Sequence, residues 1–226
     1  MNCHVMKQKV KILSVLQVTH DVKCFRLEKP VGYEFQPGQA TDLSIGQPGI
    51  EDETRPFTFT CLTNVPYLEF TIKRYPEHHG ITDRLHQLQP GDELILRDSW
   101  GAIDYKGPGY FIAGGAGITP FIAILRDLYD KNETAGNFLF FSNKTAVDII
   151  YEEELVKILS KNAVFILTRE KKQGYEAGRI DEKFIKGNTK DFSKHFYVCG
   201  PDPMVAEILD TLQKLGASAD ALVFEK

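Results

Sequence analysis

Near residue 105 the hydrophobic pattern changes period, and that change confines the chain to few architectures. Upstream, apolar and polar residues alternate in short runs. Val10 to Val18 and Val22 to Leu27 flank the polar turn Thr19-His20-Asp21. They are followed by Thr41, Leu43 and Ile45, by Phe57, Phe59 and Cys61, by Leu68, Phe70 and Ile72 between Glu69, Thr71 and Lys73, and by Leu94 and Leu96. Alternation of period two sends successive side chains to opposite faces of a strand. Six such strands, with turns at Pro37-Gly38, Pro48-Gly49 and Pro90-Gly91 and one short helix over 82–88, predict an antiparallel barrel or sandwich. Downstream, apolar runs at 110–113, 138–142, 164–168, 195–199 and 221–224 alternate with helical patterns at 120–131, 152–161, 181–185 and 203–215. That alternation predicts a parallel sheet with its ligand site at the carboxyl ends of the strands. Lys106-Gly107-Pro108-Gly109 reads as a hinge, giving two domains, 1–106 and 107–226, a division that 226 residues can accommodate.

The most informative stretch of the second half is Tyr110 to Leu125. A buried strand runs into Gly114, Gly115 and Gly117, then into Thr119-Pro120 and an apolar helix. Thr119 suits an N-cap and Pro120 the first helical position. Bare N–H groups and the positive end of a helix dipole together make an anion site, so a phosphate-bearing nucleotide is expected at 115–119. The spacing is G-x-G-x-x-P and not G-x-G-x-x-G, and a tight strand–helix connection without a ligand satisfies it too.

Composition excludes several classes. A net charge of −4 lacks the basic excess of a nucleic-acid binder. No apolar run approaches the roughly 20 residues of a membrane span, and the amino terminus lacks the apolar core of a signal peptide. Cys3, Cys24, Cys61 and Cys199 show no paired spacing. They fit a reduced cytoplasmic protein and offer no disulfide framework, zinc site or plant-type iron–sulfur cluster. The histidines, read as exposed loop residues, lack metal-ligand spacing, and there is no Ser/His/Asp hydrolase signature.

Taken in order, the motifs resemble the ferredoxin–NADP reductase superfamily of flavin-dependent NAD(P)H oxidoreductases over essentially the whole chain. Arg55-Pro56-Phe57-Thr58 resembles the R-x-Y-[ST] flavin motif. A strand puts Arg55 and Phe57 on one face and Thr58 on the other. Arginine can pair bidentately with a flavin phosphate, and an aromatic ring can stack on the flavin. The resemblance gives Thr58 a hydrogen bond to flavin N5. Phe57 stands where the family has tyrosine, and core packing beside Phe59 explains it as well. Gly80-Ile81-Thr82, opening a helix, resembles the flavin pyrophosphate segment, with Asp83 expected to point away from a phosphate. Lys73, Arg74 and Tyr75 fall where the family places flavin contacts, and equally where a strand ends in polar residues. The resemblance puts the nicotinamide nucleotide at Gly115, Gly117, Thr119 and Pro120.

After the second strand of the parallel sheet come Asn143, Lys144 and Asp148, where the adenosine ribose is expected. An acidic side chain there bonds ribose hydroxyls and a basic one favours a 2′-phosphate. Asp148 matches the aspartate of cytochrome-b-five-type reductases and leans to NADH; Lys144 pulls towards NADPH or is a solvated loop charge. Cys199-Gly200-Pro201 resembles the family's C-G-P, with the thiol beside the nicotinamide; a small buried hydrophobe is the alternative. Phe224 is either an aromatic shielding the flavin or the last core residue. Arg179 is read as structural with a nucleotide contact.

The resemblance implies hydride transfer from NADH or NADPH to a flavin, with FAD favoured over FMN because the 80–82 helix start offers a second phosphate site. Electrons then pass to flavodoxin, ferredoxin or another redox protein, a dioxygenase or haem partner being the second choice. A regulatory subunit that keeps the fold without turnover is the alternative.

Overall fold

The computed structural model describes residues 7–101 and 103–224. Cys3 and the first half of the amino-terminal stretch read above lie outside them. Six strands form the first sheet: β1 (Gln8–Thr19), β2 (Val22–Glu28), β3 (Gln39–Ile45), β4 (Arg55–Thr58), β5 (Tyr67–Lys73) and β6 (Glu93–Gly101). Their order is β4-β3-β6-β1-β2-β5 and every pairing is antiparallel. The two edge strands are joined where the chain leaves β4: Thr60 N–H donates to Glu69 O at 2.8 Å, so the sheet curls towards a barrel. Phe25, Leu43, Phe59, Phe70 and Leu96 fill its interior. Helix α1 (Ile81–Leu85) plugs one end with Ile81 and Leu85. It is shorter than the 82–88 segment expected, because the chain tightens into turns at Gln87 and Leu88 before Pro90.

The second sheet contains β7 (Gly109–Gly114), β8 (Phe138–Asn143), β9 (Ala163–Leu167), β10 (Glu176–Ala177), β11 (His195–Cys199) and β12 (Leu222–Phe224). All of its pairings are parallel, in the order β10-β9-β8-β7-β11-β12. Helices α2 (Thr119–Asp130), α3 (Glu152–Leu159), α4 (Glu182–Asn188) and α5 (Asp202–Lys214) cover it. Phe111 and Ala113 of β7 pack with α2 and α3, whereas Tyr110 and Ile112 pack with α4 and α5. A strand buried on both faces reads as a continuous apolar run, which is why Tyr110 to Ala113 shows no alternation. Asp181 caps α4 by accepting from Phe184 N–H at 2.8 Å. The two-residue β10 is too short to leave a pattern in the sequence.

The polar residues of β5 do not face water. Glu69 and Thr71 are 3% and 5% exposed, because α2 and α3 lie over them. Arg126 of α2 bridges the two halves there. Its Nη1 donates to Glu69 Oε1 at 2.7 Å and to Thr60 O at 2.6 Å, and its Nε and Nη2 form a fork on Glu154 of α3 at 2.6 and 2.8 Å. Arg26 holds the other Glu69 oxygen at 3.0 Å, and Tyr151 Oη meets Thr71 Oγ1 at 3.1 Å. The connection between the sheets is pinned, not loose as a hinge would be: Tyr197 Oη accepts from Lys106 and Gly107 N–H and donates to Gly107 O. His86 departs from the exposed-loop reading of the histidines. It is buried against β5, with Nε2 at 2.8 Å from Ile72 O, and burial lowers its pKa.

Burial alone would raise the Glu69 carboxyl, but Arg126 and Arg26 outweigh it and hold the group below the ordinary glutamate value of about 4.5. A depressed folded-state pKa adds stability that is complete above the ordinary value and is lost as pH falls through the depressed one. Glu69→Gln is therefore expected to cost about 1.5–3 kcal/mol at pH 7, the range for a hydrogen bond to a charged group. In urea titrations the gap between the two proteins should shrink as the pH drops below 4.5. A gap that is constant with pH would remove the ion pair as its cause.

Candidate nucleotide and flavin site

The order of the parallel sheet reverses at β7: the chain continues outward through β8 and β9, then returns to the other side of β7 with β11. Such a switch point opens a crevice at the strands' carboxyl ends. A cleft of about 620 Å³ lies there, between the two halves of the molecule. Its floor is the glycine turn, and each glycine has a separate physical reason. Gly114 closes β7 where a side chain would strike Met204 Sδ at 2.4 Å. Gly115 has φ +54° and nothing within 4 Å of a would-be Cβ, so its backbone is open to a ligand. At Gly117 a Cβ would sit 2.4 Å from Cys199 O, so this glycine lets the turn pack against the end of β11.

The turn is a 3₁₀ segment, Gly115–Ile118, continuous with α2. Thr119 is consequently the first residue of α2 and not its N-cap; Ile118 occupies that position without a side-chain cap. Pro120 is one place further in and buried, and Thr119 lines the cleft. Cys199, Gly200 and Pro201 form the wall from β11. Cys199 is 8% exposed and carries no disulfide, nor do Cys24 and Cys61.

Asn143, Lys144 and Asp148 supply the wall beyond β8. Asn143 Nδ2 is buried with no hydrogen-bond partner. Asp148 Oδ2 accepts from Thr145 N–H at 2.8 Å and from Thr145 Oγ1 at 2.5 Å, a capping box for the turn at 146–148. Its Oδ1 lies 3.8 Å from His20 Nε2 of the β1–β2 turn. Lys144 is exposed at the rim. His20, Asp21 and Asp148 bring ligand-type atoms within 4.8 Å of one another. Lys73 Nζ, 2.5 Å from Asp21, makes this an ion-pair cluster across the two halves.

From the barrel, Lys73 and Tyr75 reach the cleft. Arg74 turns to α1, its Nε 2.7 Å from Asp83 Oδ1, so Asp83 is engaged by a cation. Gly80 is the N-cap of α1 with no side-chain cap, Ile81 is buried in the barrel, and Thr82 lies within the first turn. On β4, Arg55 and Pro56 are exposed, Phe57 packs half-buried against the barrel core, and Thr58 is buried. Among the described residues, Arg55 Nη1 donates to its neighbour's carbonyl, Thr54 O, at 2.7 Å. Cys199 lines the cleft and Thr58 does not. Phe224 instead borders a separate recess with Cys199, Gly200 and Asp202. Arg179 borders another, of about 260 Å³, which shares Ser142, Thr168, Pro201 and Met204 with the cleft.

The Thr58 hydroxyl, like the Asn143 amide, is buried and unpartnered. Buried polar groups are nearly always paired, so an orphan beside a cofactor motif fits a partner supplied by the cofactor. Thr189 Oγ1 and His195 Nδ1 are also unpartnered and line no part of the cleft. Sequence reasoning missed Ser142, Thr168 and Met204 as lining residues. Ser142 and Thr168 were findable as residues at or just beyond the carboxyl ends of parallel strands; Met204 was not, since its place depends on how α5 packs.

Residues 111–210 match the family model of the oxidoreductase NAD-binding domain. The reductase component of propane 2-monooxygenase from Rhodococcus jostii is 28% identical, over 96% of this chain and 63% of that protein. The reductase subunit of glycine betaine monooxygenase from Pseudomonas aeruginosa is 31% identical, over 92% and 60%. The chain thus spans about three fifths of the length of these relatives. Among solved structures, the FAD/NAD-binding domain of nitric oxide dioxygenase from Vibrio cholerae superposes with a TM-score of 0.86 at 19% identity, covering 96% of this chain and 97% of that one. A ferredoxin NADP⁺ reductase from Neisseria gonorrhoeae with bound FAD and NADP gives 0.79 at 21%, covering 93% and 92%. The chain shares the two-part fold of these flavin- and nicotinamide-binding structures, and its second half matches the NAD-binding model, as the resemblance implied.

Gly117→Ala tests the packing of the cleft floor. The added methyl has no room against Cys199 O, and such overpacking costs about 1–3 kcal/mol. Lower unfolding free energy and weaker nucleotide binding by calorimetry are expected. Gly115→Ala meets no neighbour, so its effect should fall on the strained φ and on ligand approach.

Proposed function

We propose that this chain is an FAD-dependent NAD(P)H oxidoreductase that passes electrons to a partner redox protein. One observation carries the reading: the cleft at the switch point of the nucleotide-type sheet is walled on its other side by barrel residues Lys73 and Tyr75. A site shared in this way suits two cofactors that must meet. The names of the relatives, reductase components of monooxygenases, support an oxygenase component as acceptor, with a ferredoxin or flavodoxin as the alternative.

When bound, FAD supplies the chemistry of accepting a hydride from nicotinamide and releasing electrons singly. The protein's part is binding and orientation. Thr58 offers its unpartnered O–H at the flavin side; Arg55, Pro56 and Phe57 on β4 and Lys73 and Tyr75 at the cleft are assigned to the flavin, and Arg74 would join them only by leaving Asp83. The backbone at Gly80, Ile81 and Thr82 provides N–H groups for a phosphate. Gly115, Gly117, Thr119 and Pro120 receive the nicotinamide nucleotide, Asn143 donates from Nδ2, and Cys199, Gly200 and Pro201 bound the ring. Phe224 borders a recess apart from the cleft and packs on the core, which supports its reading as the last core residue over that of a flavin shield. Asp148 supports NADH as donor, with Lys144 as the competing influence. We place the barrel unit at 1–106 and the nucleotide unit at 107–226. No helix among the described residues is long and apolar enough to cross a membrane. The three described thiols support a reducing compartment such as the cytoplasm.

Purified protein supplied with FAD should turn yellow and bleach anaerobically on addition of NADH, faster than with NADPH. A protein that binds no flavin would instead favour the non-catalytic subunit reading, for which Phe57 in place of tyrosine is the one supporting feature. Thr58→Ala should slow flavin reduction about tenfold, the worth of one hydrogen bond of about 1.4 kcal/mol. Circular dichroism should show the barrel intact; an unchanged rate takes Thr58 out of its role.

A further inference from the structure

We propose that Arg126 is a positioning residue for hydride transfer, holding the flavin strand and the nucleotide helix at a fixed separation. The inference rests on the two-cofactor reading above. Its basis is where the four hydrogen bonds of this guanidinium go. One reaches Thr60 O, two residues beyond Thr58 on the segment that leaves β4. A second reaches Glu69 on β5, the strand that ends at Lys73 in the cleft wall. The remaining two fork onto Glu154, which fixes α3 to the same point. Arg126 itself lies on α2, about 10 Å along a rigid helix from Thr119 at a rise of about 1.5 Å per residue. Movement at Arg126 therefore becomes movement of the glycine turn relative to Thr58.

The chemistry of the group suits this task better than it suits stability. A buried ion pair is close to neutral for stability against an apolar pair of the same volume, because desolvating both charges offsets their attraction. What it adds is direction: a planar fork accepts its partners in one orientation, and a lysine cannot reproduce it. The Tyr151 ring, 5.1 Å from the guanidinium carbon, backs the group from the α/β side. Arg26 keeps the second Glu69 oxygen occupied, so the carboxylate cannot turn away. Hydride transfer is steeply sensitive to placement, and an error of about 1 Å can cost about a hundredfold in rate.

The test uses FAD-loaded protein in anaerobic stopped flow, with two variants. Arg126→Met/Glu69→Gln removes both buried members of the network and leaves only the part-exposed Glu154 and Arg26 without these partners; Arg126→Lys keeps the charge and loses the fork. The expected result is a limiting rate of flavin reduction lowered about a hundredfold in the double variant and about tenfold in Arg126→Lys. Dissociation constants for FAD and NADH should stay within about twofold of wild type. Two readouts are independent of turnover. The long-wavelength absorbance of stacked nicotinamide and flavin should weaken at saturating nucleotide, and small-angle scattering of cofactor-free protein should show a broader spread of dimensions. A folded, flavin-loaded double variant with wild-type limiting rate and absorbance overturns the proposal. So does full activity in Arg126→Lys, which covers the case in which the double variant does not fold. Wild-type protein that takes up no flavin overturns the underlying reading instead.

Discussion

The central strand of the parallel sheet, β7, has no face left for water, and the site follows from that constraint. All six of its residues are buried. Helices must therefore lie on both faces, which requires the chain to cross from one side of the sheet to the other at this strand. The crossing leaves β8 and β11 diverging on either side of β7, and the space between their carboxyl ends cannot be filled by a connection. The glycine turn lies in that gap because only residues without Cβ can both end β7 against Met204 and pass Cys199 O at contact distance. The cleft is thus a consequence of how the sheet is wound.

Periodicity made most of this legible. The six alternating runs correspond to β1 to β6, and the five continuous runs to β7, β8, β9, β11 and β12. Those signals are local, and local signals state what kind of element a segment forms and which positions are apolar. They do not say what covers a polar position. Glu69 and Thr71 alternate with Leu68, Phe70 and Ile72 as a half-exposed strand should, yet both are buried under α2 and α3. The apparent solvent face of β5 is the seam between the halves, and a seam closed by charges looks like surface in a sequence. His86 was hidden for the same reason: a ring that pairs with a strand carbonyl from a helix end has no motif.

The residues of the expected site were legible to different degrees. Glycines could be read because backbone geometry restricts them to few roles, and the strand-end positions Asn143 and Cys199 because parallel strands present their ends to ligand. Thr119 fitted the pattern of an N-cap, but the preceding 3₁₀ segment joins the helix directly and shifts the cap to Ile118. Asp148 fitted the pattern of a ribose ligand, and one of its oxygens is occupied by Thr145. In both cases the residue type was informative and its local surroundings were not: a 3₁₀ turn runs into the helix at Thr119, and at Asp148 a carboxylate bonds nearby backbone as Asp does wherever the turn allows it.

The seam and the cleft divide the contacts between the halves into two kinds. At the seam the central donor has its partners within the protein: the Arg126 guanidinium is satisfied by Glu69, Glu154 and Thr60. Towards the proposed cofactors, Thr58 and Asn143 keep unpaired polar atoms in buried positions. Each such atom costs about 1–3 kcal/mol while unpaired. A ligand that meets it recovers that cost on binding, so binding stabilises the bound arrangement of both halves. The recovery is useful only if the two orphans are held still relative to each other, because a hydrogen bond weakens steeply with misalignment. A seam made of loosely packed apolar side chains would permit sliding. A seam built on a forked arginine permits little, and under the proposed two-cofactor reading that is what a buried ion pair of small net stabilising effect contributes between the two half-sites.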